Sequence, residues 1–264
     1  MKRLTSKILA GVAAVAAVGS AYANTTISGP GTGDGSIILN VVDTTTQTSY
    51  TFDTGLHVNE FNGSTPQNFS SQLSTDANWT SFINGVGAND TVLYSVAGAN
   101  AVQPSNFVLD QTSNATAGTS PGSLGSISNS QLKNVNAEAS FISAVNNTAS
   151  STTFSVFATK SGTPAAYAGD QFSLGTEGVT YTAAIGTAMG FYNYTLNGTS
   201  NTTKANLVTF AGQWDLTSAG AFTYAVSSVP LPPGLTLLLS GVVLTTLIAR
   251  RRNSNAGIGF SAAA

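Results

Sequence analysis

The residue types that nucleophilic catalysis needs are sparse in this chain. His57 is the only histidine, so a Ser-His-Asp triad would have to use it. One G-x-S-x-G match has Ser120 at its centre. A nucleophile elbow needs a strand before this motif and a helix after it, and the histidine follows the serine in such folds. Here polar loop sequence flanks the match and His57 precedes it. We therefore interpret the match as fortuitous and His57 as a structural or surface residue.

Carboxylates offer two further kinds of chemistry. The 11 acids are spaced mostly as singletons, and two that converge in the fold could serve as the acid and base of a glycosidase. Asp34, Asp43 and Asp53 lie near a glycine-rich turn, and their oxygens are the ligand type that Ca²⁺ takes. Linear order decides neither case. The sequence predicts no cofactor.

The composition excludes several classes of protein. The absence of cysteine excludes a disulfide scaffold, a Cys-based zinc site and a thiol nucleophile. Only 8% of the residues are charged, and no basic face is available to neutralise the phosphates of a nucleic acid. Ser, Thr, Asn and Gly supply 117 of the 264 residues, whereas 42% are hydrophobic. This combination is typical of secreted β-proteins that bury a core.

The charges divide the chain into three parts. Lys2, Arg3 and Lys7 lie at one end and an arginine cluster lies near the other, whereas all 11 acids and three lysines fall between them. The middle therefore carries a net charge of −8 between two basic ends. This division indicates membrane traffic.

Residues 1–23 have the order of a secretory signal peptide. A basic segment precedes an apolar run over 8–18, and Ala21 and Ala23 stand at positions −3 and −1 of the cleavage site. Small residues at these positions are what signal peptidase accepts. The mature chain is therefore expected to begin at Asn24.

The segment 234–249 predicts a transmembrane helix. Its 16 residues are apolar or uncharged and contain no proline. A helix of that length spans about 24 Å, so slight thinning of a core of about 30 Å would be needed. Arg250, Arg251 and Arg252 follow as a membrane-stop cluster. By the positive-inside rule, 250–264 forms a basic cytoplasmic tail and 24–228 lies outside.

The residues before this helix are Val229, Pro230, Leu231, Pro232 and Pro233. This proline-rich motif, the apolar helix and the arginine cluster together resemble the C-terminal sorting signal of PEP-CTERM proteins, in its VPLPA-like variant. The resemblance implies a Gram-negative envelope and an exosortase-like membrane transpeptidase that cleaves near the motif. It also implies passage through the inner membrane to the cell surface or the extracellular matrix of a biofilm.

Proline gives the motif a physical basis as a recognition site. It fixes φ and disfavours helix, so 229–233 is expected to leave the bilayer as an extended, solvated segment. An extended backbone just outside an anchor is what a membrane protease binds. A rigid spacer ahead of an ordinary anchor is the alternative.

The middle of the chain predicts mainly strands. Tyr192, Tyr194 and Leu196 would share one face, either as core or interface or as a sugar-binding platform. Two segments, 71–86 and 130–145, match at an offset of 59 residues. The second keeps helical spacing, and a strand follows each, which predicts a weak helix–strand duplication. Alternating and β-branched runs predict strands over 36–42, 48–53, 91–97, 106–109, 152–159, 179–185, 190–196, 207–216 and 221–227.

These patterns predict a mainly β chain: a β-sandwich-like ectodomain over 24–228 with one or two short helices, followed by the single C-terminal transmembrane helix. The expected role is structural or adhesive in a surface or exopolysaccharide matrix, and not enzymatic. One alternative is a carbohydrate-binding module that uses exposed tyrosines with Trp79 or Trp214. A secreted glycoside hydrolase is a third possibility.

Overall fold

The computed structural model describes residues 26–102, 106–113, 127–133, 135, 138–149, 154–170 and 182–226. All of them belong to the first of two compact units, Met1–Val226, and the second unit, Ser227–Ala264, lies outside the described residues. The described strands are β1 (Ser36–Asp43), β2 (Thr48–His57), β3 (Gln67–Asn68), β4 (Val92–Val102), β5 (Asn106–Ser113), β6 (Ser155–Thr159), β7 (Ala183–Ala184), β8 (Met189–Thr195), β9 (Asn206–Leu216) and β10 (Phe222–Val226). The described α-helices are α1 (Ser70–Thr75), α2 (Ala77–Gly85), α3 (Asn129–Lys133) and α4 (Glu138–Thr148).

The ten strands form one curled antiparallel sheet, which confirms the prediction of a mainly β chain. Nine strands follow the order β3-β10-β9-β8-β5-β4-β1-β2-β6, and β7 pairs with β4. The strands predicted over 36–42 and 48–53 are present as β1 and β2, which pair as a hairpin. Asp43 organises its turn, because its Oδ1 accepts hydrogen bonds from the backbone N–H groups of Thr45 and Thr46 at 2.8 and 3.1 Å.

Both faces of the central sheet are covered. We define the inner face as the one that carries Leu39 and Val41, and the outer face as the one that carries Ile38 and Val42. Every residue of β1 is buried as a result, including the polar residues Ser36, Asn40 and Asp43. The helices supply Leu73, Trp79 and Phe82 to the inner face and Leu132, Phe141 and Val145 to the outer face.

The two predicted helical segments are each a pair of helices followed by a strand. The sequence predicts one or two short helices, but the described residues form four. Asp76 causes the first division, because it has extended backbone angles and its carboxylate accepts from the N–H groups of Asn78 and Trp79. A residue in this conformation ends one helix and caps the next. The two pairs of helices lie on opposite faces of the sheet. The sequence match between the two segments does not predict this difference.

Two glycines allow β1 and β4 to approach closely. A Cβ atom on Gly98 would lie 2.7 Å from the carbonyl oxygen of Ser36 and 3.0 Å from Cα of Ile37. A Cβ atom on Gly35 would collide with the carbonyl of Ala99. These contacts involve backbone atoms that have no free rotation, so glycine is required at both positions.

The predicted membrane segment is not among the described residues. Within the described ranges, no helix combines the length and the apolar character needed to cross a bilayer. The predicted span at 234–249 lies outside those ranges, as do the signal peptide at 1–23 and the tail at 250–264.

Candidate functional site

The residues predicted to direct export and sorting all fall outside the described part of the chain. These are Ala21 and Ala23 of the signal peptidase site, the motif at 229–233 and the arginine cluster at 250–252. The last strand among the described residues, β10, ends at Val226, three residues before the motif begins. The G-x-S-x-G match around Ser120 also lies outside the described residues.

His57 holds a loop in place. At the end of β2, its Nδ1 lies 3.0 Å from the backbone oxygen of Asp34 and 3.8 Å from a carboxylate oxygen of the same residue. Asn59 adds bonds from its backbone N–H to Asp34 and from its side chain to the carbonyl of Gly33. Together they fasten 33–35 to the end of β2, which agrees with a structural role.

The three acids considered for Ca²⁺ do not converge. Asp34 precedes β1 and Asp43 ends it, and eight residues of extended strand span about 27 Å. Asp53 instead accepts from Gly55 N–H at 2.9 Å and lies 3.4 Å from the Ser36 hydroxyl. In the described ranges, no three His, Cys, Asp or Glu side chains gather where they could hold a metal.

Asp110 is a buried acid that the sequence analysis did not single out. It is fully buried in β5, and Asn193 of β8 donates to its Oδ1 at 2.6 Å. Its Oδ2 has no hydrogen-bond partner in the part of the chain that the structure describes. Burial, opposed by the bond from Asn193, raises the pKa of Asp110 to about 8. The predicted strand ended at Leu109, which left this acid outside any element.

Among the described acids, the two with raised pKa values, Asp53 and Asp110, lie on opposite faces of the sheet. Burial raises the pKa of Asp53 to about 6. Asp53 pairs with Ile38 of the outer face, whereas Asp110 pairs with Gly98, which shares the inner face with Val96 two residues earlier. Paired residues point to the same side of a sheet. The sheet therefore separates these two carboxyls, and they do not flank a common cleft.

The aromatic residues considered as a sugar platform are buried. Tyr192 and Tyr194 are at most 1% exposed and pack on the outer face, as the core interpretation of this stripe predicted. Trp79 is 4% exposed and Trp214 is fully buried. Their proposed role as exposed binding residues is therefore wrong, because both belong to the inner-face core. Every aromatic side chain in the described ranges is buried or half-buried.

A cavity of about 500 Å³ lies elsewhere on this unit. The end of α2, the start of β4, β7 and the β9–β10 turn surround it. No sequence motif marked it, because its lining comes from three distant segments. These are 83–92, 184–186 and 217–218.

Comparisons with known proteins leave the family open. No protein-family model matches the chain, and no significant similarity to a curated protein or to a solved structure was found.

Proposed function

We propose that this chain is an exported, C-terminally sorted protein of the cell surface or exopolysaccharide matrix, with a structural or adhesive role. The observation that carries the proposal is the order of segments: a signal peptide, a β-rich unit whose last strand ends at Val226, and then the motif at 229–233. The apolar segment at 234–249 and Arg250–Arg252 complete the order. All described strands lie before the motif, so cleavage there would leave them intact.

The proposed route needs two enzymes. Signal peptidase would cut after Ala23, and an exosortase-like membrane transpeptidase would act at the proline-rich motif. The chain would be held in the inner membrane only until the second step. These partners come from the resemblance of the terminal segments to PEP-CTERM proteins.

We also propose that the curled sheet has a sandwich-like arrangement. Phe69 supports this, because its ring centroid lies 6.1 Å from that of Phe52 in β2 and 6.2 Å from that of Trp214 in β9. Four strands separate β2 from β9 in the sheet order. The sheet must curl for one ring to contact both strands.

A binding role is favoured over catalysis. The separation of Asp53 and Asp110 by the sheet weighs against a glycosidase that would use these two acids as its pair. Serine, threonine and asparagine exchange hydrogen bonds with sugars without the desolvation of ions, which suits contact with hydrated polysaccharide. A carbohydrate-binding module remains the second candidate, and the observation that favours it is the cavity rather than an aromatic platform.

The test is the intact mass of the protein isolated from the native envelope and from the culture medium. We expect a species that begins at Asn24 and ends within 229–233. Replacement of both Pro230 and Pro232 by alanine should leave the uncut chain in the membrane, whereas Pro66→Ala, outside the motif, should not. A wild-type species that ends at Ala264 would overturn the sorting proposal and leave a plain single-span anchor.

A further inference from the structure

The cavity beside α2 has a lining of two chemical kinds. Its apolar residues come from α2, the loop that follows it, β4 and the segment after β7. Its polar residues come from the loop before β4 and from the β9–β10 turn. The apolar side chains are Ile83, Val86, Val92 and Ile185, and the polar ones are Asp90, Thr91, Thr217 and Ser218.

Backbone hydrogen bonds join the segments that surround the cavity. Gly186 N–H donates to the carbonyl of Leu216 at 2.7 Å, and this bond joins the segment after β7 to β9. Thr217 N–H donates to the carbonyl of Ala221 at 2.9 Å and closes the β9–β10 turn. The cavity is therefore formed before any ligand arrives, which lowers the entropy lost on binding.

The charge of the lining selects against anions. Asp90 is the only ionisable residue among those that line the cavity, and its Oδ2 accepts from Gly87 N–H at 2.6 Å. The side chain of Asp43, a second acid, lies within hydrogen-bonding reach of Asp90. A uronate or phosphate ligand would meet the carboxyl of Asp90 and no cation in this lining, with the second acid, Asp43, next to Asp90 behind it.

The hydroxyl groups select for a ligand that both donates and accepts. Thr91, Thr217 and Ser218 can do either, whereas an ionised carboxyl can only accept. The aliphatic side chains of the same lining need a ligand surface made of C–H groups. A pyranose ring has both properties, because its hydroxyls project from the rim and its C–H groups form the faces.

We propose that this cavity binds a short stretch of an uncharged saccharide. The C–H face of a sugar lies on Ile83 and Ile185, and its hydroxyls reach Asp90 and Thr91. A volume of about 500 Å³ is within the range of small-molecule sites. The proposal rests on the adhesive role proposed above and gives it a chemical ligand.

Methyl NMR of the full chain in detergent tests the proposal. Isoleucine methyl groups inside the cavity report binding, and those elsewhere serve as internal controls. The probes are neutral tetrasaccharides of glucose, mannose and galactose, each added to about 10 mM, a range that detects weak binding. We expect at least one probe to shift Ile83 and Ile185 saturably and to leave Ile142, on the outer face, unchanged. Trigalacturonate should give no shift.

Asp90→Asn and Asp170→Asn form the matched pair of variants. Both remove one acid, but Asp170 pairs with Lys160 on the surface, away from the cavity lining. Loss of a charge-assisted hydrogen bond should weaken saccharide binding by about tenfold in Asp90→Asn. The Asp170→Asn variant should bind like the wild type. Equal affinity in both variants would contradict the proposed contact.

Two results would overturn the proposal, and neither would affect the mass measurement. The first is the absence of any shift at Ile83 and Ile185 with all three neutral probes. The second is a shift with hexylammonium alone, which would indicate a cationic aliphatic ligand. If the native protein ends within 229–233 in either case, sorting stands and only the saccharide site fails. If the native protein ends at Ala264 but binds a saccharide, the saccharide site stands and only the sorting proposal fails.

Discussion

Asp110 makes the stability of this protein depend on pH. Its ordinary pKa is 3.8, and burial in β5 raises it to about 8. Between these values the unfolded chain has lost the proton that the folded chain retains. The stabilising contribution of Asp110 is therefore fully present below about pH 4 and is lost as the pH rises through about 8.

We predict that Asp110→Asn flattens the pH dependence of stability between pH 6 and 8. The wild type should lose up to about 1.4 kcal/mol of unfolding free energy per pH unit in this window. Asp53, with a pKa of about 6, also lowers stability as the pH rises, but mainly below this window of pH 6 to 8. Urea unfolding at several pH values measures the slope. An unchanged slope in Asp110→Asn would contradict the prediction, and Asp170→Asn serves as the exposed control.

Asp110 also marks a limit of sequence analysis at the residue scale. The sequence predicts a strand over 106–109, which stops one residue before this acid. In the structure β5 continues to Ser113, because Asn193 and a raised pKa make a buried acid tolerable. The local sequence predicts neither the hydrogen-bond partner, which is 83 residues away, nor the protonation state of the acid.

At the scale of elements, Asp76 ties α2 to the sheet. Its Oδ1 caps α2 at 2.7 Å from Asn78 N, and its Oδ2 accepts from the hydroxyl of Tyr50 in β2 at 2.9 Å. Tyr50 is fully buried, and its ring lies 5.1 Å from that of Trp79. One carboxyl therefore starts the helix and satisfies a buried hydroxyl.

We predict that Asp76→Ala lowers the free energy of unfolding by about 2–4 kcal/mol, because it removes a cap and leaves a buried hydroxyl unpaired. Asp76→Asn can retain the cap and should lose much less. Tyr50→Phe removes the hydroxyl itself and separates the two effects. Urea denaturation of the three variants provides the values. Equal losses in the alanine and asparagine variants would show that the cap contributes little.

The elements were more predictable than their arrangement. Alternating and β-branched patterns located β8, β9 and β10 to within a residue or two. The matched helical segments were also found. At the offset of 59 residues, the helix-capping Asp76 of the first segment corresponds to the buried Val135 of the second. Equivalent positions of the two segments therefore have different structural roles. Identity between the segments could not reveal the opposite faces on which they pack.

At the scale of the whole molecule, β10, the last described strand, limits where the chain can be cut without loss of the fold. Phe222 and Tyr224 of β10 are fully buried in the inner-face core, and the Tyr224 hydroxyl donates to the carbonyl of Gly63. β10 therefore belongs to the fold and is not a linker. A processing site must lie beyond Val226 if the released unit is to stay folded, and 229–233 satisfies this condition.

We predict that a chain ending at Ser228 unfolds at the same urea midpoint as the full chain, since all described strands remain. A chain ending at Leu216 should fail to fold cooperatively. It lacks two buried aromatic side chains, each of which contributes about 3–5 kcal/mol in typical cores, whereas domains are stable by about 5–15 kcal/mol. Circular dichroism during urea titration compares the three lengths. If the chain ending at Ser228 lost cooperativity, release at 229–233 would deliver an unfolded product, and the motif would be better explained as a spacer ahead of a permanent anchor.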